Sequence, residues 1–245
     1  STTSEVEDIE YLPTGIEGFD AVSGGGLVAG CVVLFGGEEG AGKTTLAMMI
    51  ANGIARTRPV LYVSAEQSED EVIRIAKRIG VHNDRVKVVG NTSNIYSAIE
   101  ACQEVRPVLA IFDSIQMLSC GGPVGSNAEG EQVANVIRDH CKKTNMSGIA
   151  INQLSRSGYF KGSTGIGHMV DTLMYLDKMF PKADEPVDKD KLRELRLVGY
   201  DNPRGLRELI SGKNRNASED SKAYFEMTSE GQLKTIRRKS RLEVV

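Results

Sequence analysis

The chain has 245 residues, 40% hydrophobic and 26% charged, a balance that suits one globular domain of mixed α/β type and excludes a disordered or fibrous chain. A net charge of −3 excludes bulk electrostatic attraction to nucleic acid, so any such contact must rest on local patches. The apolar runs around Ile50 and Val108 are too short to cross a bilayer, and the opening STTSEVEDIE is acidic rather than leader-like, so a cytoplasmic location with no membrane contact is expected. Cys31, Cys102, Cys120 and Cys141 form no CxxC pair, so neither zinc nor a redox pair is expected.

Residues 1–12 read as a polar N-terminal segment, 13–233 as the folded core and 234–245 as a basic tail. The glycine-rich stretch Tyr11 to Gly30 leads into CVVLF, an apolar run of the kind buried strands show. An apolar helix after Lys43, the strand PVLYVS and a helix begun by the Ser68/Glu71 capping box follow. RVKVVG is a weaker strand, Asn94 to Glu104 a helix and VLAIFD a strong strand. Val133, Val136, Ile137 and His140 recur at helical spacing, and GIAINQL and TLMYLD complete the alternation expected of a mostly parallel sheet covered on both faces. Beyond Phe180 comes a charged, proline-punctuated segment, 181–196, followed by LRLVGYDNPRGLRELI, which reads as two antiparallel strands at the sheet edge around a turn at Asn202 to Gly205.

GEEGAGKT fits the pattern GxxxxGKT between a predicted strand and a predicted helix, the context that a phosphate-binding loop requires. Gly37, Glu38, Glu39, Gly40, Ala41, Gly42, Lys43, Thr44 and Thr45 are therefore candidate nucleotide ligands. Glycines let the backbone fold until its amides face phosphate oxygens, and a helix N-terminus adds positive potential. Lys43 would reach the β and γ phosphates of ATP, while the Thr44 hydroxyl and Asp113, at the end of VLAIFD, would hold Mg2+. Glu66 is the candidate to orient and deprotonate water, although the acidic cluster Glu66, Glu69, Asp70 and Glu71 also suits a helix start electrostatically. Gln153 is placed to sense a γ phosphate or, alternatively, to serve as a strand-end amide bonded to backbone.

PTGIEGFDAVSGGGLVAG, LYVSAEQS, FDSIQ, GHMVDTLMYL and KNR together resemble the ATPase core of bacterial RadA (Sms), within the RecA and DnaB group of motors. INQLSRSG is more similar to the replicative helicase DnaB. The zinc finger and Lon-protease-like domain of RadA proteins are absent from this sequence, and Asn216 and Ala217 follow KNR where RadA has Phe and Gly. The resemblance implies a RecA-like P-loop fold, ATP with Mg2+, and a homo-oligomer, a hexameric ring, working on single-stranded DNA in recombination, branch migration or repair. It also implies that Lys213 and Arg215 project together from the sheet edge and reach the γ phosphate of a neighbouring subunit's ATP.

Two loops would line the ring channel. The first, Ser119 to Gln132, is glycine-rich and expected to be mobile. The second, Ser155 to Gly165, offers Arg156 and Lys161 to backbone phosphates and Tyr159 and Phe160 for stacking, a pattern also open to reading as a surface loop with incidental cations. A DnaB-type replicative helicase and a KaiC-like nucleotide-gated assembly module that binds protein partners remain alternatives.

Overall fold

A computed structural model describes residues 9–153, 165–179, 205–219 and 221–236. Arg156, Tyr159, Phe160, Lys161, the 181–196 segment and the tail beyond Ile236 lie outside the described residues.

The chain opens with a two-residue strand, β1 (Tyr11–Leu12), paired antiparallel with β2 (Leu27–Val28) around helix α1 (Glu17–Ser23). Then come β3 (Val32–Gly36), α2 (Lys43–Ile54), β4 (Val60–Ser64), α3 (Glu69–Arg78), β5 (Val86–Val89), α4 (Ile95–Val105) and β6 (Leu109–Asp113). A 3₁₀ turn at Ile115–Met117 leads to α5 (Asn127–Thr144), β7 (Ser147–Ile151), a short α6 (Ile166–Met169) and β8 (Thr172–Lys178). Three further strands, β9 (Leu206–Asn214), β10 (Lys222–Met227) and β11 (Leu233–Thr235), complete the described elements.

Strands β3 to β11 form one sheet in the order β11-β10-β9-β8-β3-β7-β6-β4-β5. The pairs from β8 across to β5 are parallel, and those from β8 out to β11 are antiparallel. This is the mostly parallel sheet with antiparallel C-terminal strands that the sequence predicts. Successive strand residues face opposite sides, and the core divides accordingly. Val33, Phe35, Tyr62 and Ile111 join the layer under α1, α2 and α3, whereas Val32, Leu34, Leu61 and Phe112 join the layer under α4 and α5. Strands covered on both sides carry apolar residues at every position, which is why CVVLF and VLAIFD show no alternation. Among the described residues no helix is long and apolar enough to cross a membrane.

Several boundaries differ from the expectation. Tyr11 and Leu12 belong to the folded body through β1, and Lys234 and Thr235 through β11. The Ser119–Gln132 stretch is not a uniformly mobile loop, because its second half is the first turns of α5 and its first half is fastened to a buried carboxylate. Glu129 accepts from the Ser119 hydroxyl (2.8 Å), the Gly122 amide (3.0 Å) and the Cys120 amide. Those donors favour the ionised carboxylate and hold its pKa below the usual range, the Ser119 hydroxyl contributing most.

Gly53, inside α2, marks where the N-terminal segment crosses the helix that starts at the phosphate loop. A Cβ there would lie 1.8 Å from the Thr14 carbonyl oxygen, and Thr14 is itself locked by Asp20, which accepts from its amide (2.9 Å) and its hydroxyl (2.7 Å). Gly→Ala within a helix ordinarily stabilises by up to about 1 kcal/mol. Gly53→Ala is instead expected to destabilise by about 1–3 kcal/mol, the range for overpacking against neighbours that cannot yield. Urea unfolding followed by circular dichroism reads the sign, and a stabilised variant would show that the crossing is loose.

Candidate nucleotide site

The phosphate loop leaves β3 at Gly37, whose φ is +146° and whose Cβ would fall 2.1 Å from the Leu176 carbonyl oxygen, so only glycine fits there. Gly42, with φ +104°, then turns the chain into α2. The neighbouring C-terminal strands brace the loop from outside. Asp177 accepts from the Glu38 amide (3.2 Å), the Lys178 ammonium donates to the Glu39 carbonyl (3.1 Å), and the Arg207 guanidinium donates to the Ala41 carbonyl (2.9 Å).

Inside the loop, the Lys43 ammonium donates to the Gly37 and Glu38 carbonyls at 2.7 and 2.8 Å and is 7% exposed. Burial lowers its pKa from the ordinary 10.5, and the carboxylates of Asp113, Asp177, Glu39 and Glu38 act in the opposite direction.

The strand ends β6, β4 and β7 bring up the remaining groups. Asp113, the last residue of β6, accepts through Oδ2 from the Thr44 hydroxyl at 2.7 Å and from the Tyr62 hydroxyl at 2.5 Å. Tyr62 is fully buried in β4, and burial together with the Asp113 charge and hydrogen bond pushes its pKa well above 10, so it stays a hydroxyl donor. A cis peptide joins Asp113 to Ser114. The Ser114 hydroxyl donates to Glu66 Oε1 at 2.8 Å, tying the second residue after β4 to the first after β6. Beyond β7, the Gln153 amide donates to the Gln116 side chain at 3.2 Å.

Around them lies a cleft in two parts, of about 420 and 280 Å3, that share Thr44, Thr45, Arg78, Asp113 and Gln153. Glu66 and Gln67 border the smaller part; Gly40, Lys43 and the β10–β11 turn, Ser229 to Gly231, border the larger. The cleft opens at the C-terminal ends of parallel strands, where open α/β sheets place ligands. Six of the nine phosphate-loop candidates, Glu39, Gly40, Gly42, Lys43, Thr44 and Thr45, therefore converge with Asp113, Glu66 and Gln153, while Gly37, Glu38 and Ala41 are not among the lining residues; Lys213 and Arg215 lie at the other end of the sheet.

Among the described residues no three His, Cys, Asp or Glu side chains converge on a metal position. The hard oxygen donors of Thr44 and Asp113, 2.7 Å apart beside the phosphate loop, fit Mg2+, which takes few protein ligands and completes its shell with phosphate and water.

Known proteins agree with this geometry. The family model described as "ATPase: KaiC" matches residues 12–95. DNA repair protein RadA of Aquifex aeolicus (strain VF5) is 32% identical over 179 residues, 72% of this chain and 40% of the relative. RadA of Pseudomonas aeruginosa PAO1 is 30% identical over 230 residues, 92% of this chain and 46% of the relative. This chain is similar to the ATPase core of RadA. It spans about half the length of the RadA relatives it matches or less. The crystal structure of the RadB recombinase superposes with a TM-score of 0.63 at 23% identity, covering 92% of this chain and all of that one, so this chain has a RecA-like fold. The ATPase family match and the RadA relatives support ATP with Mg2+ as the cofactor pair of the site.

Several groups at this site have no local signature in the sequence. Tyr62 sits in an apolar strand and reads as core, and Ser114 and Gln116 read as ordinary turn residues. Arg78 ends a helix, where a cation is expected anyway. The adjacent polar pair Arg207 and Glu208 inside the otherwise apolar LRELI is a signal that a strand residue there serves something other than the core.

Proposed function

We propose that the RadA-like core is an ATP-hydrolysing, ring-forming motor that acts on single-stranded DNA in recombination or repair, as the names of its relatives suggest. The observation that carries this reading is the position of Lys213 and Arg215. Val33 pairs with Thr172 at the start of β8, and Thr172 pairs with Asn214 at the end of β9, so the KxR pair lies at the end of the sheet opposite its own phosphate loop. It cannot serve its own ATP, and a second copy is needed to bring it to a nucleotide.

In this mechanism the Lys43 ammonium exchanges loop carbonyls for phosphate oxygens, and Thr44 and Asp113 hold the metal with Tyr62 fixing Asp113. Bound Mg2+ supplies neutralisation of the phosphate charge. Glu66, steadied by Ser114, orients a water and takes its proton. Gln153 touches the γ phosphate and relays its presence through the hydrogen bond from its backbone amide to the Gln116 side chain, in the 3₁₀ turn that feeds the Ser119 loop. Lys213 and Arg215 of the adjoining copy complete the site; a finger of this kind contributes about 10³–10⁵ in rate. Arg156, Lys161, Tyr159 and Phe160 would meet the strand.

ATP turnover and assembly state, measured together with and without single-stranded DNA, test the reading. Stimulated turnover by an assembled ring is expected. Neither binding nor stimulation would end the motor reading and favour a KaiC-like assembly module, the family whose model matches residues 12–95. Unwinding of forked duplex would favour the DnaB-type alternative.

A further inference from the structure

The structure refines the setting of the KxR pair. Lys213 stands where β9 runs on past Ile210, the last residue that pairs with β10, so β8 alone flanks it there and the position is a sheet edge, while Arg215 lies one residue past the strand. Both are held by the segment before β8. The Lys213 ammonium donates to the Val170 carbonyl (2.7 Å) and the Gly167 carbonyl (3.1 Å). Arg215 donates through Nη1 to Asp171 Oδ1 at 3.2 Å, and its amide donates to the Asp171 carbonyl at 3.3 Å.

Asp171 is the unusual member of this group. Its side chain is 8% exposed, against 57% for Arg215, so a buried carboxylate grips one arm of a guanidinium whose remainder faces outward. Its other oxygen, Oδ2, accepts from the Val32 amide at 3.0 Å, and its own amide donates to the Val32 carbonyl at 3.1 Å. Val32 is the first residue of β3, the strand that delivers the phosphate loop from its far end. One carboxylate thus joins the outward-facing arginine to the strand that ends at this subunit's own nucleotide.

We propose that Asp171 is the positioning residue of Arg215, aiming the guanidinium at the neighbouring subunit's nucleotide and linking it through Val32 and β3 to the subunit's own phosphate loop. This rests on the trans role assigned to Arg215 above. An exposed ion pair between two flexible chains would hold little in place. Here one partner is buried and fixed by a backbone bond, so the guanidinium plane, a rigid fork of donors, loses its freedom to swing away.

Asp171→Asn keeps the volume and an oxygen for the Val32 amide but turns an amide donor toward Arg215. ATPase turnover of the assembled variant is expected to fall about 10–100-fold, the range for removing a group that orients a functional side chain, with nucleotide binding by the subunit unchanged. Mixing identifies the cause. Arg215→Ala mixed with Lys43→Ala should regain activity wherever an intact loop meets an intact finger. Asp171→Asn mixed with Lys43→Ala should regain it likewise, and Asp171→Asn mixed with Arg215→Ala should regain none.

Wild-type turnover in Asp171→Asn overturns the proposal. So does failure to complement Lys43→Ala where Arg215→Ala succeeds, because the carboxylate then serves its own subunit's fold or site. If Arg215→Ala and Lys43→Ala themselves restore nothing despite co-assembly, the trans reading fails and the positioning role falls with it. Should Asp171→Asn not fold, Asp171→Ser, which retains an acceptor for the Val32 amide in a smaller side chain, carries the same expected pattern and the same overturning results.

Discussion

Glu66→Gln is expected to lower ATP turnover by about 10²–10⁴-fold, the contribution usual for a positioned general base, while ATP affinity stays within about twofold. The size follows from what the substitution keeps. Glu66 receives the Ser114 hydroxyl at Oε1, 2.8 Å away, and a glutamine carbonyl oxygen can accept the same bond in the same place. Ser114 is buried and directly follows Asp113, so the amide would stand where the carboxylate stood, next to the proposed metal ligand Asp113, without the basicity to take a proton. Glu66 borders the smaller part of the cleft and Lys43 the larger, so the phosphate-loop contacts are expected to be untouched. A single-turnover hydrolysis assay, paired with binding of a fluorescent nucleotide, separates the two effects. Turnover near that of the unmodified chain would remove Glu66 from the mechanism and leave it as part of the acidic start of α3.

How much of this was legible beforehand depends on how local the cause is. The Ser68/Glu71 capping box was readable because both partners lie within four residues, and the helix begins where they place it. The buried strands β3, β4 and β6 were readable because burial on both faces leaves an unbroken apolar run. The phosphate loop was readable because its chemistry needs a fixed spacing of glycines, lysine and threonine. By contrast β9 runs through Gly212, Lys213 and Asn214, residues that suggest a turn, and it remains a strand there because β8 pairs with it, Leu173 opposite Lys213 and Thr172 opposite Asn214. The glycine-rich composition after Ser119 suggested freedom, yet Glu129 supplies a contact that composition does not record.

The functional residues divide the same way. Lys43, Thr44 and Asp113 announce themselves through motif and strand end, and the cleft brings them together. Tyr62 and Asp171 act through partners 51 and 44 residues away, Asp113 and Arg215 respectively, so nothing in their own neighbourhoods marks them. What they share is burial: each polar side chain is buried in or beside a strand, where an unpaired polar group would cost about 1–3 kcal/mol, and each answers that cost by fixing a group of the proposed mechanism.

Lys43→Ala is expected to weaken ATP binding by about 10²–10⁴-fold. The ammonium, 7% exposed, already makes two charge-assisted hydrogen bonds to the Gly37 and Glu38 carbonyls; hydrogen bonds to charged groups contribute about 1.5–3 kcal/mol each. Two such bonds to phosphate oxygens amount to about 3–6 kcal/mol, which is the stated range at about 1.4 kcal/mol per factor of ten. The loop itself should survive, since Asp177, Lys178 and Arg207 brace it from β8 and β9 and cleft water can take the place of the ammonium at the two carbonyls. Unfolding of the nucleotide-free protein should therefore be nearly unchanged. The effect appears when ligand is added: at a concentration 100 times the Kd, binding stabilises a protein by about 2.7 kcal/mol, and a variant whose Kd has risen by at least that factor loses most of the gain. Thermal unfolding with and without Mg2+ and ATP reads the difference directly. An undiminished nucleotide-dependent rise in Tm in Lys43→Ala would mean that the phosphates are held by the loop amides alone, and that the lysine braces an already competent site.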